Sequence, residues 1–173
     1  MKMKNEIIHL RALEPEDLEV LYKWENDSSL WLLGSTLSPY SRYVLKEYIS
    51  ESYKGIYEQK QLRLMIVLNE GSKTVGMIDL YDFDPHNNRA GVGILLDEAF
   101  QRKGYASMAL DLLISYAFSF IKIHQLYAYI PETNVASISL FQKCGFKESG
   151  FLKQWNVGND GYDNVFVFQK IND

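Results

Sequence analysis

The run Leu95-Leu96-Asp97-Glu98-Ala99-Phe100-Gln101-Arg102-Lys103-Gly104-Tyr105-Ala106-Ser107 drives an apolar strand into a helix through a short basic turn that carries a glycine. A strand joined in this way to a helix, and then to another strand, calls for a sheet with parallel neighbours and a helix laid over one face. The turn also has a chemistry of its own. Backbone N–H groups at a helix N-terminus have no partner inside the helix, and the helix dipole adds positive character, so main chain alone can grip a pyrophosphate there. Arg102 and Lys103 oppose that dipole, where an ordinary connection would carry Asp or Ser. Their presence points to a bound phosphate.

Composition narrows the rest. A chain of 173 residues with 47% hydrophobic content has room for one core, so residues 1–173 are read as a single domain. The balance of 18 basic against 22 acidic residues, a net charge of -4, gives no electrostatic reason to seek nucleic acid and suits a cationic substrate. Cys144 is the only cysteine, which excludes an internal disulfide framework and a thiolate-rich zinc site. His9, His86 and His124 lack metal-ligand spacing, and no metal is expected. The N-terminus runs straight into alternating residues without a signal-peptide core, and no window reaches the length of a membrane span. The expectation is a cytoplasmic protein with no membrane partner.

The periodicities give an order of elements. Ile7 to Leu13 alternates as a strand, and Glu14-Pro15-Glu16-Asp17 opens a helix, with Glu14, Glu16, Asp17 and Glu19 as its solvated face. Ser28 to Ser41 reads as a loop or short helix over a cleft, and Tyr43 to about Tyr57 as a second helix. Leu62 to Leu68, Thr74 to Tyr81 and Ala90 to Leu96 are strands, the first two joined by hairpin chemistry. A buried helix then runs to about Ile121, followed by a strand from Gln125 to Ile130. Asn134 is placed to cap a helix that ends at Cys144 before Gly145. A second hairpin, Phe146 to Val157 and Tyr162 to Lys170, closes the chain. The sum is an α/β (α+β) fold with a mixed sheet of about seven strands and about four flanking helices.

Two motifs in this order carry a resemblance. Gln101-x-x-Gly104-x-Ala106 is similar to the acyl-CoA pyrophosphate signature of the GCN5-related N-acetyltransferases, the GNAT family. Asn134-x-x-Ser137-x-x-x-Phe141-x-x-x-Gly145-Phe146 resembles that family's second motif. The likeness spans Ile7 to Lys170 and points to the branch holding spermidine N-acetyltransferases and ribosomal-protein N-terminal acetyltransferases.

The resemblance implies a sheet splayed at the acyl-CoA site, with acetyl-CoA as co-substrate. Gln101, Arg102, Lys103, Gly104, Tyr105, Ala106 and Ser107 would hold its diphosphate. The backbone of Ile94, Leu95 and Leu96 would pair with the pantetheine arm, as an added strand does. Asn134, Ser137 and Phe141 would flank that arm. Many relatives carry a tyrosine at the position of Phe141 and, among polyamine acetyltransferases, a glutamate where this chain has Ala90-Gly91-Val92-Gly93. Both assistants are absent here.

The residues themselves suggest substitutes. A protonated amine must shed a proton before it attacks, whereas a CoA thiol is acidic enough to leave as thiolate, so the base is the larger need. Asp79 interrupts an otherwise apolar strand and is the candidate base, although an exposed strand position reads the same way. By the resemblance, Tyr129 lies on the strand facing the pantetheine gap and is the alternative proton donor, or equally a packed aromatic. Glu25 and Asp27, with Asp79 and Asp82, are expected to form an anionic mouth for an ammonium group. The loop Gly34-Ser35-Thr36-Leu37-Ser38 offers hydroxyls but no carboxylates. By resemblance the chain is an N-acetyltransferase for a polyamine or other small cationic amine, with a protein N-terminus as the alternative acceptor and a silent acyl-CoA sensor as the alternative of another class. A homodimer or larger homo-oligomer is implied in the same way.

Overall fold

The computed structural model describes residues 3–31 and 36–172. The strands are β1 (Ile8–Arg11), β2 (Leu62–Leu68), β3 (Thr74–Asp84), β4 (Arg89–Leu96), β5 (Gln125–Pro131), β6 (Lys147–Gly158) and β7 (Gly161–Ile171). They form one sheet in the order β1-β2-β3-β4-β5-β7-β6. The helices are α1 (Leu18–Glu25), α2 (Ser28–Trp31), α3 (Arg42–Glu51), α4 (Ile56–Gln59), α5 (Tyr105–Tyr116) and α6 (Val135–Lys143). No helix among the described residues is long and apolar enough to cross a membrane.

The near-continuous apolar run of β2 follows from its place in the middle of the layers. Leu64 and Ile66 point to one side, into a core completed by Ala109, Leu110 and Leu113 of α5 and Phe141 of α6. Met65 and Val67 point to the other, against Leu21 and Trp24 of α1 and Leu45 and Ile49 of α3. A strand covered on both faces has no reason to alternate polar with apolar residues.

Six helices stand among the described residues where about four were expected. The segment expected as one helix from Tyr43 to about Tyr57 breaks after Glu51, where the Ser52 hydroxyl donates to the Ile49 carbonyl at 2.7 Å. Leu45 and Ile49 are buried on the α1 side, but Ile56 is buried in the α5-side core. The chain must round the sheet between them, and a straight helix cannot. Asp17, expected on a solvated face, is 3% exposed and takes a two-pronged bond from Arg11 at 2.7 and 2.8 Å. The long helix before β5 keeps α-geometry to Tyr116 and widens into a π-turn over Ala117–Ile121.

One irregularity positions everything that follows. β4 and β5 are the parallel pair, and they pair only at Arg89↔Gln125, Ala90↔Leu126 and Gly91↔Tyr127. Beyond Gly91, β4 stays on β3 as far as Gly76↔Leu96, and β5 stays on β7 as far as Pro131↔Val165. The two halves of the sheet diverge, leaving a V whose mouth lies at the C-terminal ends of β4 and β5.

Candidate active site

The basic turn forms one rim of the mouth. Asp97, at the end of β4, donates its N–H to the Val75 carbonyl, while its carboxylate accepts from Lys23 Nζ at 2.8 Å, Trp24 Nε1 at 3.1 Å and the Ala99 amide at 3.2 Å. The bond from Lys23, then that from Trp24, holds this carboxyl below its ordinary range. So anchored, the chain makes a single 3₁₀ turn over Glu98–Phe100 and enters the left-handed region at Arg102 (φ 60°) and Gly104 (φ 84°) before α5 begins. Among the described residues, no backbone N–H from Arg102 to Ser107 has an acceptor, and the first to find one is Met108, on the Gly104 carbonyl at 3.2 Å. The side chains close up the turn instead. Lys103 Nζ donates to Ala99 O, Gln101 Nε2 to Leu96 O and Ser107 Oγ to Gly104 O.

Inside the V, Ile94 and Leu96 send their side chains to the α5-side core and Leu95 to the other. No strand pairs with their edge toward β5, because β5 has already diverged, and of that edge the Leu96 carbonyl takes the Gln101 side chain. On the opposite rim, Asn134 caps α6, its side-chain oxygen accepting the Ser137 amide at 3.2 Å. Phe141, one helical face further in, is 3% exposed and lies edge-on to Phe146 at 4.9 Å between centroids. It presents no polar atom. Behind it, burial pushes the Cys144 thiol up to about 11.

The side of the sheet facing α1 and α3 carries the other candidates. Arg63 of β2 stands opposite Asp79 of β3, with Nε and Nη2 each 2.8 Å from a carboxylate oxygen. The third nitrogen, Nη1, donates to Glu25 at the end of α1. Burial alone would lower the Arg63 pKa, but Asp79, Tyr48 and Glu25 outweigh it and hold the guanidinium firmly charged. Glu25 and Asp79 are therefore neighbours as expected, but with a cation between them. The other two members of the expected mouth lie apart. Asp27 accepts from the amide and hydroxyl of Ser29 at the start of α2, bonds that keep its carboxyl low. Asp82 is exposed on a β3 bulge, at φ 47°. Gly34 and Ser35 of the hydroxyl loop lie outside the described residues.

Asp82 lines a groove of about 380 Å³ with Asp84, Arg89, Tyr127, Tyr129 and Gln169. Tyr129 is 47% exposed and meets Tyr127 edge-on at 5.5 Å. Two contributors were not singled out in the sequence. Arg63 is a charge inside an apolar strand, the same signal that drew attention to Asp79. Tyr81 lies over Gly91 and Gly93, and two glycines at i and i+2 of a strand mark a place where something approaches the backbone closely.

A family model described as an acetyltransferase (GNAT) domain matches residues 8–147. A spermidine N(1)-acetyltransferase of Escherichia coli K12 is 28% identical over 94% of this chain and 86% of its own. A putative ribosomal N-acetyltransferase of Bacillus subtilis is 30% identical over 84% of this chain and 81% of its own. Among solved structures, the spermidine N-acetyltransferase of Vibrio cholerae in complex with CoA and spermine superposes with a TM-score of 0.86 at 23% identity, over 97% of both chains. A dodecameric structure of the Vibrio enzyme gives 0.82 at 24% identity, over 97% of this chain and 95% of that one.

Proposed function

The chain belongs to the GNAT acetyltransferase family, and from that premise we propose that it transfers acetyl from acetyl-CoA directly to a primary amine, of a polyamine or another small cationic amine. The observation that carries the reading is the open edge of β4 running into a turn whose amides from Arg102 to Ser107 await an anion. In this reading those amides and Arg102 bind the CoA diphosphate, helped by Gln101 and Lys103. The pantetheine arm adds itself to β4 along Ile94, Leu95 and Leu96, and Asn134, Ser137 and Phe141 bound it from α6.

The amine then approaches from the α1 side. Two carboxylates against one guanidinium leave the Glu25–Arg63–Asp79 cluster with an excess negative charge, which supports attraction of an ammonium group. The ammonium gives its proton to Asp79, whose bonds to Arg63 loosen to receive it. The freed nitrogen lone pair attacks the thioester carbon, the C–S bond breaks, and the electron pair leaves with sulfur. The proton left in excess on the acylated nitrogen passes through Tyr129, or solvent, to the thiolate, giving a neutral amide and the CoA thiol. Asp82 and the groove beyond it extend the cationic path. The spermidine-acetylating relatives support this acceptor class.

A protein N-terminus is the second reading, supported by the ribosomal relatives. Assembly into a homo-oligomer is part of the proposal. Its support is the dodecameric relative and the exposed Trp155, Val157 and Tyr162 on the β6–β7 hairpin.

The test is release of CoA thiol by the purified protein across polyamines, amino acids, aminoglycosides and short N-terminal peptides. Turnover with polyamines is expected. Turnover with peptides alone would move the assignment to the second reading, and tight CoA binding without turnover on any amine would favour a silent sensor.

A further inference from the structure

Tyr81 leaves β3 on the α1 side and lies flat across β4. A Cβ on Gly91 would overlap ring atoms Cε2 and Cζ, and one on Gly93 would sit 3.9 Å from Cδ1 and Cε1. The Cζ end of the ring, which carries the phenol oxygen, lies on Gly91, and the ring meets Tyr127 of β5 edge to face. One side chain therefore bridges three strands, and it does so just past Gly91↔Tyr127, the last pair before β4 and β5 part. The edge of Tyr127 supports the ring, at 6.1 Å between centroids.

This is also where the free edge of β4 ends. Val92 to Leu96 offer about 17 Å of unpaired strand. An extended pantetheine arm anchored at the Arg102–Ser107 turn would use that length and bring its thioester to the apex of the V. α6 bounds the V from the other side of the sheet, where Phe141 supplies no hydroxyl.

A phenol is both donor and acceptor, and its O–H turns to suit the partner it is offered. We propose that Tyr81 is a catalytic residue whose O–H donates to the carbonyl oxygen of the bound thioester as that oxygen becomes an oxyanion. The inference rests on the acetyl-transfer reading above. When the amine nitrogen attacks, the carbonyl π pair moves onto oxygen and is held by the Tyr81 hydrogen bond without proton transfer. When the carbonyl re-forms, the C–S bond breaks, its pair leaves as thiolate, and the excess proton on nitrogen passes to that thiolate. Burial, with Tyr127 and Asp82 nearby, raises the phenol well above its ordinary value, so it remains a donor at every pH where the protein works. A fixed donor at the site of developing charge is among the largest single contributions a site can make.

Tyr81→Phe keeps the ring on both glycines and removes only the hydroxyl. With the amine identified by the thiol-release panel, kcat is expected to fall by about 10²–10³-fold, the usual loss of one oxyanion donor. The acetyl-CoA KM should stay within about twofold, and the ratio of the two enzymes should be constant between about pH 6 and 9, as expected of a donor that does not titrate there. An unchanged kcat, or a deficit that appears only on the alkaline side, would overturn the proposal.

A second measurement needs no amine. The isotope-edited infrared band of bound [1-¹³C]acetyl-CoA should lie lower with the wild type than with Tyr81→Phe. Equal bands in the two proteins would sink this inference and leave the acetyl-transfer reading standing. If acetyl-CoA fails to bind the wild type, both fall.

Discussion

Arg63 and Asp79 meet as a closed fork, Nε to Oδ1 and Nη2 to Oδ2 both at 2.8 Å, and the guanidinium that makes it also holds Glu25. All three side chains are less than one-fifth exposed. Arg63→Met would leave two buried carboxylates without their cation, so a loss of about 3–5 kcal/mol is expected, read as the shift in a urea unfolding curve. Arg63→Lys should recover only part, since a compact ammonium cannot reproduce the planar fork. An unmoved midpoint in the Met variant would show that the carboxylates find other partners.

Asp79→Asn keeps the shape of the fork and removes the proton acceptor. A fall in kcat of about 10²–10⁴-fold is expected, the range of general-base catalysis, with CoA affinity by calorimetry unchanged. Undiminished turnover would mean that the proton leaves by another path, through Glu25 or directly to water.

The basic turn proposed to hold the CoA diphosphate makes a separate expectation. Gly104 has room for a methyl group, its nearest neighbour being Met108 Cε at 3.8 Å, but its φ of 84° lies in the left-handed region. Gly104→Ala therefore costs about 1–2 kcal/mol of backbone strain. The strain relaxes by rotating the amides that follow, so CoA affinity should weaken about tenfold or more. Arg102→Ala should weaken it less and flatten its dependence on salt, since it removes formal charge and leaves the amides in place. Equal effects of the two variants would argue against main-chain recognition.

Cys144 sets a dependence on alkali. Its thiol is pushed from 9.0 to about 11 in the folded protein, chiefly by burial, so between those values the native state holds a proton that the unfolded chain has released. The contribution to stability is complete below about pH 9 and is lost as pH rises through about 11. Alkylation by iodoacetamide at pH 8 should be negligible in the native protein and complete in denaturant. The alkaline decline in thermal midpoint should shrink in Cys144→Ala. Ready labelling of the native protein would place the thiol at the surface.

The basic turn was legible in the sequence because it is local: a few consecutive residues specify the strand end, the left-handed turn and the helix start. So was the Asn134 cap, whose partner is three residues away. The carboxylates were legible only as charges. Register across β2 and β3 sets Arg63 against Asp79, and no spacing along the chain reveals that. The expected anionic mouth became one ion cluster, one helix cap and one bulge for the same reason. The break after Glu51 depended on which face of the sheet Ile56 would join, a choice made by the fold as a whole.

The seat of Tyr81 on Gly91 couples two positions ten residues apart in heredity as well as in space. A side chain at 91 cannot enter while the tyrosine lies there, and a smaller residue at 81 would uncover bare backbone at both glycines. Single steps away from this pairing pass through a damaged protein, while a paired exchange need not. Related sequences should therefore change the two positions together, and the choice between a ring laid over the sheet and a side chain rising from it should divide the family into lineages that rarely interconvert.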